Sequence, residues 1–200
     1  MLHIHPIFEK QLKRGDKEAL LKQRGLVIWF VGLSGSGKST LANGLENYLH
    51  SKRYITTLLD GDNLRTGINK NLGFSEEERV ENIRRAAHVS KLFLDSGIIT
   101  LCSLISPTER VRNMAKDIIG RDSYVEVFVN CPLEVCEKRD VKGLYAKARR
   151  GEIAHFTGIS SPFESPANPD IELRTDINEL ETSLEKLINF IEPKISIVER

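Results

Sequence analysis

One run of eight residues limits what this chain can fold into more than any other part of it. It reads Gly32-Leu33-Ser34-Gly35-Ser36-Gly37-Lys38-Ser39 and matches the pattern G-x-x-x-x-G-K-S/T at every fixed position. Residues 26–31 before it form an apolar run that predicts a buried strand, and residues 40–52 after it carry leucines at helical spacing. Because a strand, a glycine-rich turn and a helix start are the context in which this pattern binds phosphate, the run predicts a nucleoside triphosphate site.

The residue types in this phosphate loop have physical reasons. Glycines permit positive φ angles and a close approach of the backbone to a phosphate, so successive N–H groups can form an anion-binding nest at a helix start. Lys38 is expected to reach the β- and γ-phosphates, and the Ser39 hydroxyl is expected to bind Mg²⁺. The predicted nucleotide-binding residues of the loop are Gly32, Leu33, Ser34, Gly35, Ser36, Gly37, Lys38, Ser39 and Thr40.

The composition of the whole chain is that of one soluble domain. The 200 residues are 28% charged and 40% hydrophobic, and the formal net charge of +1 does not imply a large nucleic-acid footprint. We find no apolar run of membrane-spanning length and no signal-peptide core. The three cysteines, Cys102, Cys131 and Cys136, form no C-x-x-C pair. We therefore expect reduced thiols, a cytoplasmic location and neither a membrane nor a nucleic-acid partner.

Strand and helix patterns alternate five times along the chain. The predicted strands lie at residues 26–31, 54–59, 98–105, 125–129 and 171–173. This alternation predicts an α/β fold of the phosphate-loop NTPase type, a three-layer sandwich with a mostly parallel five-stranded sheet. We divide the chain into an N-terminal arm, residues 1–24, one domain, residues 25–193, and a tail, residues 194–200. A frayed end is the default expectation for the arm.

Two aspartates follow the second predicted strand. The sequence there reads Asp60-Gly61-Asp62-Asn63. Chemistry in open α/β sheets gathers at the carboxyl ends of the strands, which is where both carboxylates fall. Aspartate and glycine are also common in plain turns, but the position favours a functional interpretation.

Three helix starts and one helix end can be predicted from the sequence. Ser75 with Glu78 predicts the start of a long helix, and Arg79 and Asn82 share a face near that start. Ser106 is predicted to cap the following helix, with Pro107 as its first residue. Asn178 is predicted to cap the last helix and Pro193 to end it.

A basic segment follows the fourth strand. It begins at Lys142 and leads into a long loop rich in Gly, Ser and Pro. A basic run is usually a solvated surface, but in a phosphate-loop protein it is equally consistent with a lid that screens phosphoryl charge. We assign this lid segment to about residues 142–160.

Among phosphate-loop proteins, the residues favour a small-molecule kinase. A GTPase would need a guanine-specificity motif, and residues 69–72 lack its aspartate. A motor or assembly ATPase would carry an acid at the end of a later strand, whereas the third strand leads to Ser106. These observations leave the acceptor open.

Six further motifs resemble those of adenylylsulfate kinases, in order and at the spacing of that family, over about residues 22–190. They are Asp60-Gly61-Asp62-Asn63, Leu72-Gly73-Phe74-Ser75, residues 79–85, Ile105-Ser106-Pro107, Lys142-Gly143-Leu144-Tyr145 and Phe156-Thr157-Gly158. The resemblance implies transfer of the γ-phosphoryl group of ATP to the ribose 3′-hydroxyl of adenosine 5′-phosphosulfate (APS), in the presence of Mg²⁺. It also implies a role in sulfate assimilation, a homodimer and a functional link to ATP sulfurylase.

The resemblance also assigns roles to individual residues. Asp62 would orient or deprotonate the acceptor hydroxyl, and Asp60 would support Mg²⁺. The residues implied to hold APS are Arg65, Phe74, Arg79, Asn82, Ile105, Ser106, Lys142, Leu144 and Phe156, with Phe74 and Phe156 stacking on its adenine. Arg139 and Thr175 would contact the base of ATP.

Ser106 has a second interpretation in this family, as a phosphorylated intermediate. Direct in-line transfer needs no such intermediate, and we favour it. Thr66, Cys102, Leu104 and Thr108 depart from the usual family pattern, which bears on affinity for the acceptor. A kinase for another hydroxyl acceptor and a non-catalytic nucleotide-binding module are the two alternatives.

Overall fold

Five strands form a single parallel sheet in the computed structural model, which describes residues 3–140 and 142–197. The strands are β1 (Val27–Val31), β2 (Thr56–Asp60), β3 (Ile99–Ser103), β4 (Tyr124–Asn130) and β5 (Ile171–Arg174). Their order across the sheet is β2-β3-β1-β4-β5, and each neighbouring pair is parallel. The predicted α/β fold with a five-stranded sheet is confirmed, and all of its strands are parallel.

Helices connect the strands, because parallel neighbours need a crossover rather than a tight turn. In the described residues they are α1 (Arg14–Leu21), α2 (Lys38–Ser51), α3 (Gly61–Thr66), α4 (Glu76–Leu94), α5 (Glu109–Ile119), α6 (Leu133–Arg139), α7 (Leu144–Arg149) and α8 (Leu180–Ile195). Short 3₁₀ turns lie at Phe8–Lys10 and Arg121–Ser123. Within the described ranges, no helix combines the length and apolar character needed to cross a membrane.

The two faces of the sheet bury two separate apolar clusters. Side chains alternate between faces along a strand, so Ile28 and Phe30 of β1 enter one cluster and Trp29 enters the other. Helices α2 and α8 cover the first cluster, and α4 and α5 cover the second. This arrangement is the predicted three-layer sandwich, and it leaves the carboxyl ends of the strands open for a binding site.

The prediction that Ser106 caps the fifth helix is wrong. Helix α5 begins at Glu109 and is capped by Thr108, whose hydroxyl accepts a hydrogen bond from the Val111 N–H at 3.5 Å. Ser106 instead has a φ of +48°, and its hydroxyl accepts a hydrogen bond from the Trp29 indole at 2.8 Å. A tertiary contact therefore holds the serine that local sequence assigned to a cap. The capping box of Ser75 and Glu78 is present as predicted.

Both boundaries predicted for the last helix are also wrong. Helix α8 follows Glu179 rather than Asn178, and it continues past Pro193 to Ile195. Tertiary contacts hold its last turn, because Ile195 is fully buried and its carbonyl accepts a hydrogen bond from the Arg24 N–H at 2.8 Å.

The N-terminal segment is packed against the sheet from α1 onward. Arg14 donates hydrogen bonds to the Gly25 carbonyl at 2.6 Å and to the Ser123 hydroxyl at 2.7 Å. Gln23, which follows α1, is fully buried. A frayed end therefore does not describe residues 14–23, although residues 3–13 are exposed.

Candidate active site

A cleft of about 710 Å³ lies at the carboxyl edge of the sheet. The phosphate loop forms one wall, and the ends of β2 and β3 with the start of α4 form another. Lys142 and Tyr145 of the lid segment, together with residues 175–180, complete the lining. This is the edge at which open α/β sheets bind their ligands.

Two glycines of the phosphate loop are required by geometry. A Cβ atom on Gly32 would lie 2.6 Å from the Val129 carbonyl oxygen, too close for any side chain. Gly37 precedes α2 with a φ of +100°, in the left-handed region that favours glycine. The loop can therefore pass close to β4 and turn its N–H groups towards the start of α2.

Lys38 is 8% exposed at the first position of α2. Its ammonium donates a hydrogen bond to the Leu33 carbonyl of the loop at 2.7 Å. Burial lowers the pKa of Lys38 to about 8, and the charges of Cys136 and Asp60 only partly offset that effect. The lysine thus lies inside the loop, where phosphate oxygens would replace the Leu33 carbonyl as its partner.

Three oxygen-bearing side chains meet beside the loop. The Ser39 hydroxyl donates to Asp60 Oδ2 at 2.7 Å and lies 3.0 Å from the Ser103 hydroxyl. The register explains the meeting, because Asp60 and Ser103 are paired residues at the ends of β2 and β3. A carboxylate with two hydroxyls is an all-oxygen donor set, which fits Mg²⁺ when nucleotide phosphates supply further ligands.

Asp62 lies across the cleft from the lid segment and forms an ion pair with Lys142. This hydrogen bond raises the pKa of Lys142. Asp60 accepts a hydrogen bond from the Asp62 N–H through its second carboxylate oxygen, at 3.0 Å. The two predicted carboxylates therefore have different partners, Asp60 at the phosphate loop and Asp62 at the lid.

The guanidinium groups of Arg65 and Arg79 both lie close to the Phe74 ring in the cleft. The guanidinium of Arg65 is 4.2 Å from the Phe74 ring centroid, and that of Arg79 is 5.5 Å from it. Arg65 donates to the Leu72 and Gly73 carbonyls, and Arg79 donates to the carbonyls of Phe74 and His155. Burial lowers the pKa of both arginines. Asn82 lines the same region and is 6% exposed.

The structure separates the two phenylalanines that were predicted to stack on the acceptor adenine. Phe74 is 51% exposed and lines the cleft. Phe156 is 9% exposed and packs edge-on against Tyr145, with 5.0 Å between ring centroids. Phe156 and Leu144 are both in the lid segment, where they belong to an apolar cluster, and neither is among the residues that line the cleft. Stacking of the acceptor adenine between the two rings stays a prediction.

Ile105 and Ser106 line the cleft at the end of β3. Ser106 is 1% exposed. Its carbonyl accepts a hydrogen bond from the buried Arg112 at 3.2 Å, while its hydroxyl is held by Trp29. These two contacts fix the position of the serine from both sides.

Arg139 and Thr175 come together where the nucleotide base was predicted to bind. Arg139 donates to the Thr175 carbonyl and, at 3.4 Å, to the Gly35 carbonyl. The Thr175 hydroxyl donates to the Ser36 carbonyl at 2.7 Å. The end of β5 is thereby tied to the phosphate loop.

Three residues of the site region were not assigned a role from sequence. Ser103 joins the oxygen cluster, Tyr145 donates to the Ser34 carbonyl at 2.9 Å, and Asn69 donates to Asn82 Oδ1 at 3.0 Å. Tyr145 belongs to one of the family motifs, and Ser103 lies near the end of a predicted strand, so both carried a signal. Asn69 carried none, because its contact depends on a turn that sequence does not define.

The fold and this cleft define a phosphate-loop kinase. Residues 24–174 match the sequence model described as adenylylsulphate kinase, so the chain belongs to the adenylylsulfate kinase family. The adenylyl-sulfate kinase of Bacteroides fragilis is 60% identical over 194 residues, covering 97% of this chain and 96% of that protein. The adenylyl-sulfate kinase of Bacteroides thetaiotaomicron is 61% identical over 193 residues, covering 96% of each.

A solved structure agrees with this assignment. The Mycobacterium tuberculosis APS kinase CysC, in complex with AMPPNP and APS, superposes with a TM-score of 0.80 at 47% identity. The match covers 84% of this chain and 98% of that one. The predicted function is confirmed: the protein is an ATP-dependent kinase of APS, and its reaction belongs to sulfate assimilation.

Proposed function

We propose that the cleft transfers the γ-phosphoryl group of ATP directly to the 3′-hydroxyl of APS, with Asp62 as the carboxylate that orients or deprotonates that hydroxyl. One observation carries the proposal. Asp60 is engaged with Ser39 at the phosphate loop, whereas Asp62, two residues further on, faces the lid segment through Lys142. These separate contacts support assigning Asp60 to the nucleotide side and Asp62 to the acceptor side.

The nucleotide side is built for positioning and charge neutralisation. The N–H groups of the loop and the Lys38 ammonium would hold the β- and γ-phosphates. Ser39 and Asp60 would hold Mg²⁺, which supplies neutralisation of phosphate charge when it is bound. Phosphoryl transfer depends mainly on such positioning and electrostatic stabilisation, so no covalent protein intermediate is required.

The acceptor side presents positive charge and one basic oxygen. Arg65, Arg79 and Asn82 would hold the phosphosulfate and ribose, and Phe74 would contact the adenine. Lys142 would exchange Asp62 for an anionic oxygen of the substrates, which frees the carboxylate to accept the proton of the hydroxyl. ATP would place its base near Arg139 and Thr175.

The contacts of Ser106 support direct transfer. Its hydroxyl oxygen already accepts the Trp29 N–H, and the residue is 1% exposed. Attack by this oxygen on the γ-phosphate would have to come from a buried hydroxyl that already accepts a hydrogen bond, which weakens it as a nucleophile. A role in shaping the acceptor site fits these contacts better than a role as phosphoryl carrier.

The test is ADP release from ATP and Mg²⁺ with APS as acceptor. Asp62→Asn is expected to lower kcat by about 100-fold or more, because it removes the base but keeps the shape. Ser106→Ala is expected to keep kcat within about tenfold of wild type and to show no phosphoenzyme, because direct transfer does not use the serine as a phosphoryl carrier. Asp122→Asn, at an exposed aspartate in the turn before β4, is the matched control.

A folded but inactive Ser106→Ala enzyme, together with phosphoserine on the wild type, would establish the covalent route instead. Unchanged kcat in Asp62→Asn would remove the carboxylate from the mechanism.

We further infer that the chain acts as a cytoplasmic homodimer supplied with APS by ATP sulfurylase. The family resemblance supports the dimer and the link to the sulfurylase. The buried thiols of Cys102, Cys131 and Cys136, none of which forms a disulfide, fit a reducing compartment. Sedimentation of the purified protein tests the dimer, and a monomer at all concentrations would contradict it.

A further inference from the structure

A pair of buried amides lies behind the acceptor end of the cleft. Asn69, in the turn between α3 and α4, is fully buried, and its Nδ2 donates a hydrogen bond to Asn82 Oδ1 at 3.0 Å. Asn82 lines the cleft, whereas Asn69 does not. Asn69 therefore touches the site only through the amide of Asn82.

The turn that carries Asn69 is tied down on both sides. The Asn69 N–H donates to the Leu64 carbonyl at 2.9 Å, and its carbonyl accepts from the Leu72 N–H at 3.0 Å. Arg85 of α4 donates to the Ile68 carbonyl at 3.0 Å and to Asn71 Oδ1 at 2.8 Å. The side chain of Asn69 is thus presented to Asn82 from a fixed backbone.

The hydrogen bond decides which end of the Asn82 amide faces the cleft. Asn69 Oδ1 is buried without a hydrogen-bond partner. Reversing both amides would instead leave the Asn69 NH₂ group buried without an acceptor, and orphaned donors are rarer in proteins than under-satisfied carbonyls. Because Asn82 Oδ1 accepts the hydrogen bond from Asn69, the Asn82 Nδ2 group is the end that can donate to a ligand in the cleft. It has no acceptor among the described residues.

We propose that Asn69 is a positioning residue that fixes the Asn82 amide with its N–H group towards the acceptor, so that Asn82 donates to an anionic or ribose oxygen of APS. The inference rests on the proposed function, because it deepens the role of Asn82 in the acceptor site. A reversed Asn82 would present a carbonyl oxygen beside Arg65 and Arg79, where it would compete with the substrate anion for the same donors.

The sharpest test is Asn69→Asp, which keeps the size of the side chain but makes it an acceptor at neutral pH. The Asn82 amide must then reverse and turn its oxygen to the cleft. We expect the KM for APS to rise by about tenfold or more near pH 8, while the KM for ATP changes little. A rise of this size is the effect expected from losing one hydrogen bond to a charged group.

Lower pH is expected to rescue this variant. Burial raises the pKa of a carboxyl group, and a protonated carboxyl can again donate to Asn82 Oδ1. The ratio of variant to wild-type KM for APS should therefore fall between about pH 8 and pH 6. The charged groups that face this turn are Arg65 and Arg85, which bond to it, and Glu78, which bonds to Gly73 beside it. Backbone hydrogen bonds from Gly73 and Ser75 lower the pKa of Glu78, further from that range.

Three further variants complete the design. Asn71→Asp places the same charge two residues away in the same turn, at an exposed position that contacts Arg85, and is expected to keep the wild-type KM for APS. Asn69→Ala frees the Asn82 amide and is expected to raise this KM by about threefold or more, with no rescue at low pH. Asn82→Ala reports on the acceptor site itself, and thermal unfolding of each variant monitors the fold.

The outcomes separate the inference from the function on which it rests. Loss of APS affinity in Asn82→Ala, with a pH-dependent loss in Asn69→Asp, supports the proposal. A normal KM for APS in Asn69→Asp beside a raised KM in Asn82→Ala overturns the role of Asn69 alone. A normal KM in Asn82→Ala removes Asn82 from the acceptor site and both assignments with it. If Asn69→Asp raised the KM for ATP and the KM for APS equally, and the increase did not depend on pH, Asn69 would have only a structural role. That result would also overturn the proposal.

Discussion

Lys38 combines two opposing requirements at a single residue. It must be charged to hold phosphate, yet it lies almost fully buried, and that burial lowers its pKa from 10.5 to about 8. The unfolded chain therefore binds more protons than the folded chain between these two values, and the stability of the free protein should rise with pH in this window. Below about pH 8 Lys38 is charged in the folded protein, and the cost of burying that charge lowers the stability by its full amount.

We predict that Lys38→Met removes this pH dependence. The free energy of unfolding of wild type, measured relative to the variant, should increase by about 3 kcal/mol as the pH rises from about 8 to 10.5. Urea unfolding without nucleotide at several pH values measures the difference. Lys10→Met, at an exposed lysine, controls for the loss of one positive charge. A difference that stays constant across the window would contradict the prediction.

Ser106 shows at the same scale how one contact can override a local pattern. Its sequence context satisfies every requirement of a helix cap, and a cap alone would explain the serine without a chemical role. The Trp29 indole lies 77 residues earlier in the chain and holds its hydroxyl. A cap pattern encodes only contacts within a few residues, so it could not reveal this bond.

At the scale of elements, the lid segment contacts the phosphate loop directly. Helix α7 carries Tyr145, whose hydroxyl donates to the Ser34 carbonyl of the phosphate loop at 2.9 Å. The same ring packs against Phe156, which follows in the lid segment. Tyr145 thus links the loop that holds ATP to the part of the lid assigned to the acceptor.

We predict that Tyr145→Phe raises the KM for ATP by about threefold to tenfold, because it removes one hydrogen bond from the loop and leaves the ring packing in place. Steady-state kinetics with APS at saturation measure the effect. Tyr54→Phe is the matched control, since it removes a hydroxyl that lies 2.9 Å from the Ser196 hydroxyl at the other edge of the sheet. The link between lid and loop would be refuted if both variants changed this KM equally or if neither did.

At the scale of the whole molecule, binding and stability are concentrated at opposite edges of the sheet. The cleft occupies the carboxyl edge, while Gln23 joins segments at the amino edge. Its side chain donates to the Ile55 and Gly97 carbonyls at 3.0 and 2.8 Å, just before β2 and β3, and accepts from the Ile55 N–H at 2.7 Å. Its backbone pairs with Ser196 just after α8.

We predict that Gln23→Leu lowers the free energy of unfolding by about 3 kcal/mol, because it leaves the buried Gly97 carbonyl and the part-buried Ile55 N–H without their hydrogen-bond partner. For a chain of this size the melting temperature should fall by about 6–12 °C. Differential scanning calorimetry measures the shift, and Gln11→Leu at an exposed position is the control. The KM values for ATP and APS should stay at wild-type levels. An unchanged melting temperature would mean that the N-terminal segment is not part of the cooperative unit.

The sequence by itself determined the features that depend on neighbouring residues. The phosphate loop between strand and helix, the capping box at Ser75, the alternation of strands and helices and the family motifs are all contiguous patterns. They were sufficient to predict the α/β fold, the kinase activity and the edge of the sheet that carries the site. Each of these follows from local backbone preferences or from the known order of motifs.

Only the tertiary structure decided which distant residues meet. The Asp62–Lys142 ion pair joins positions 80 residues apart, and the amide pair of Asn69 and Asn82 depends on a turn between two helices. The burial of Phe156 within the lid segment and the continuation of α8 past Pro193 were decided in the same way. The physical reason is that strand order, helix packing and burial select these contacts, and no local pattern records them.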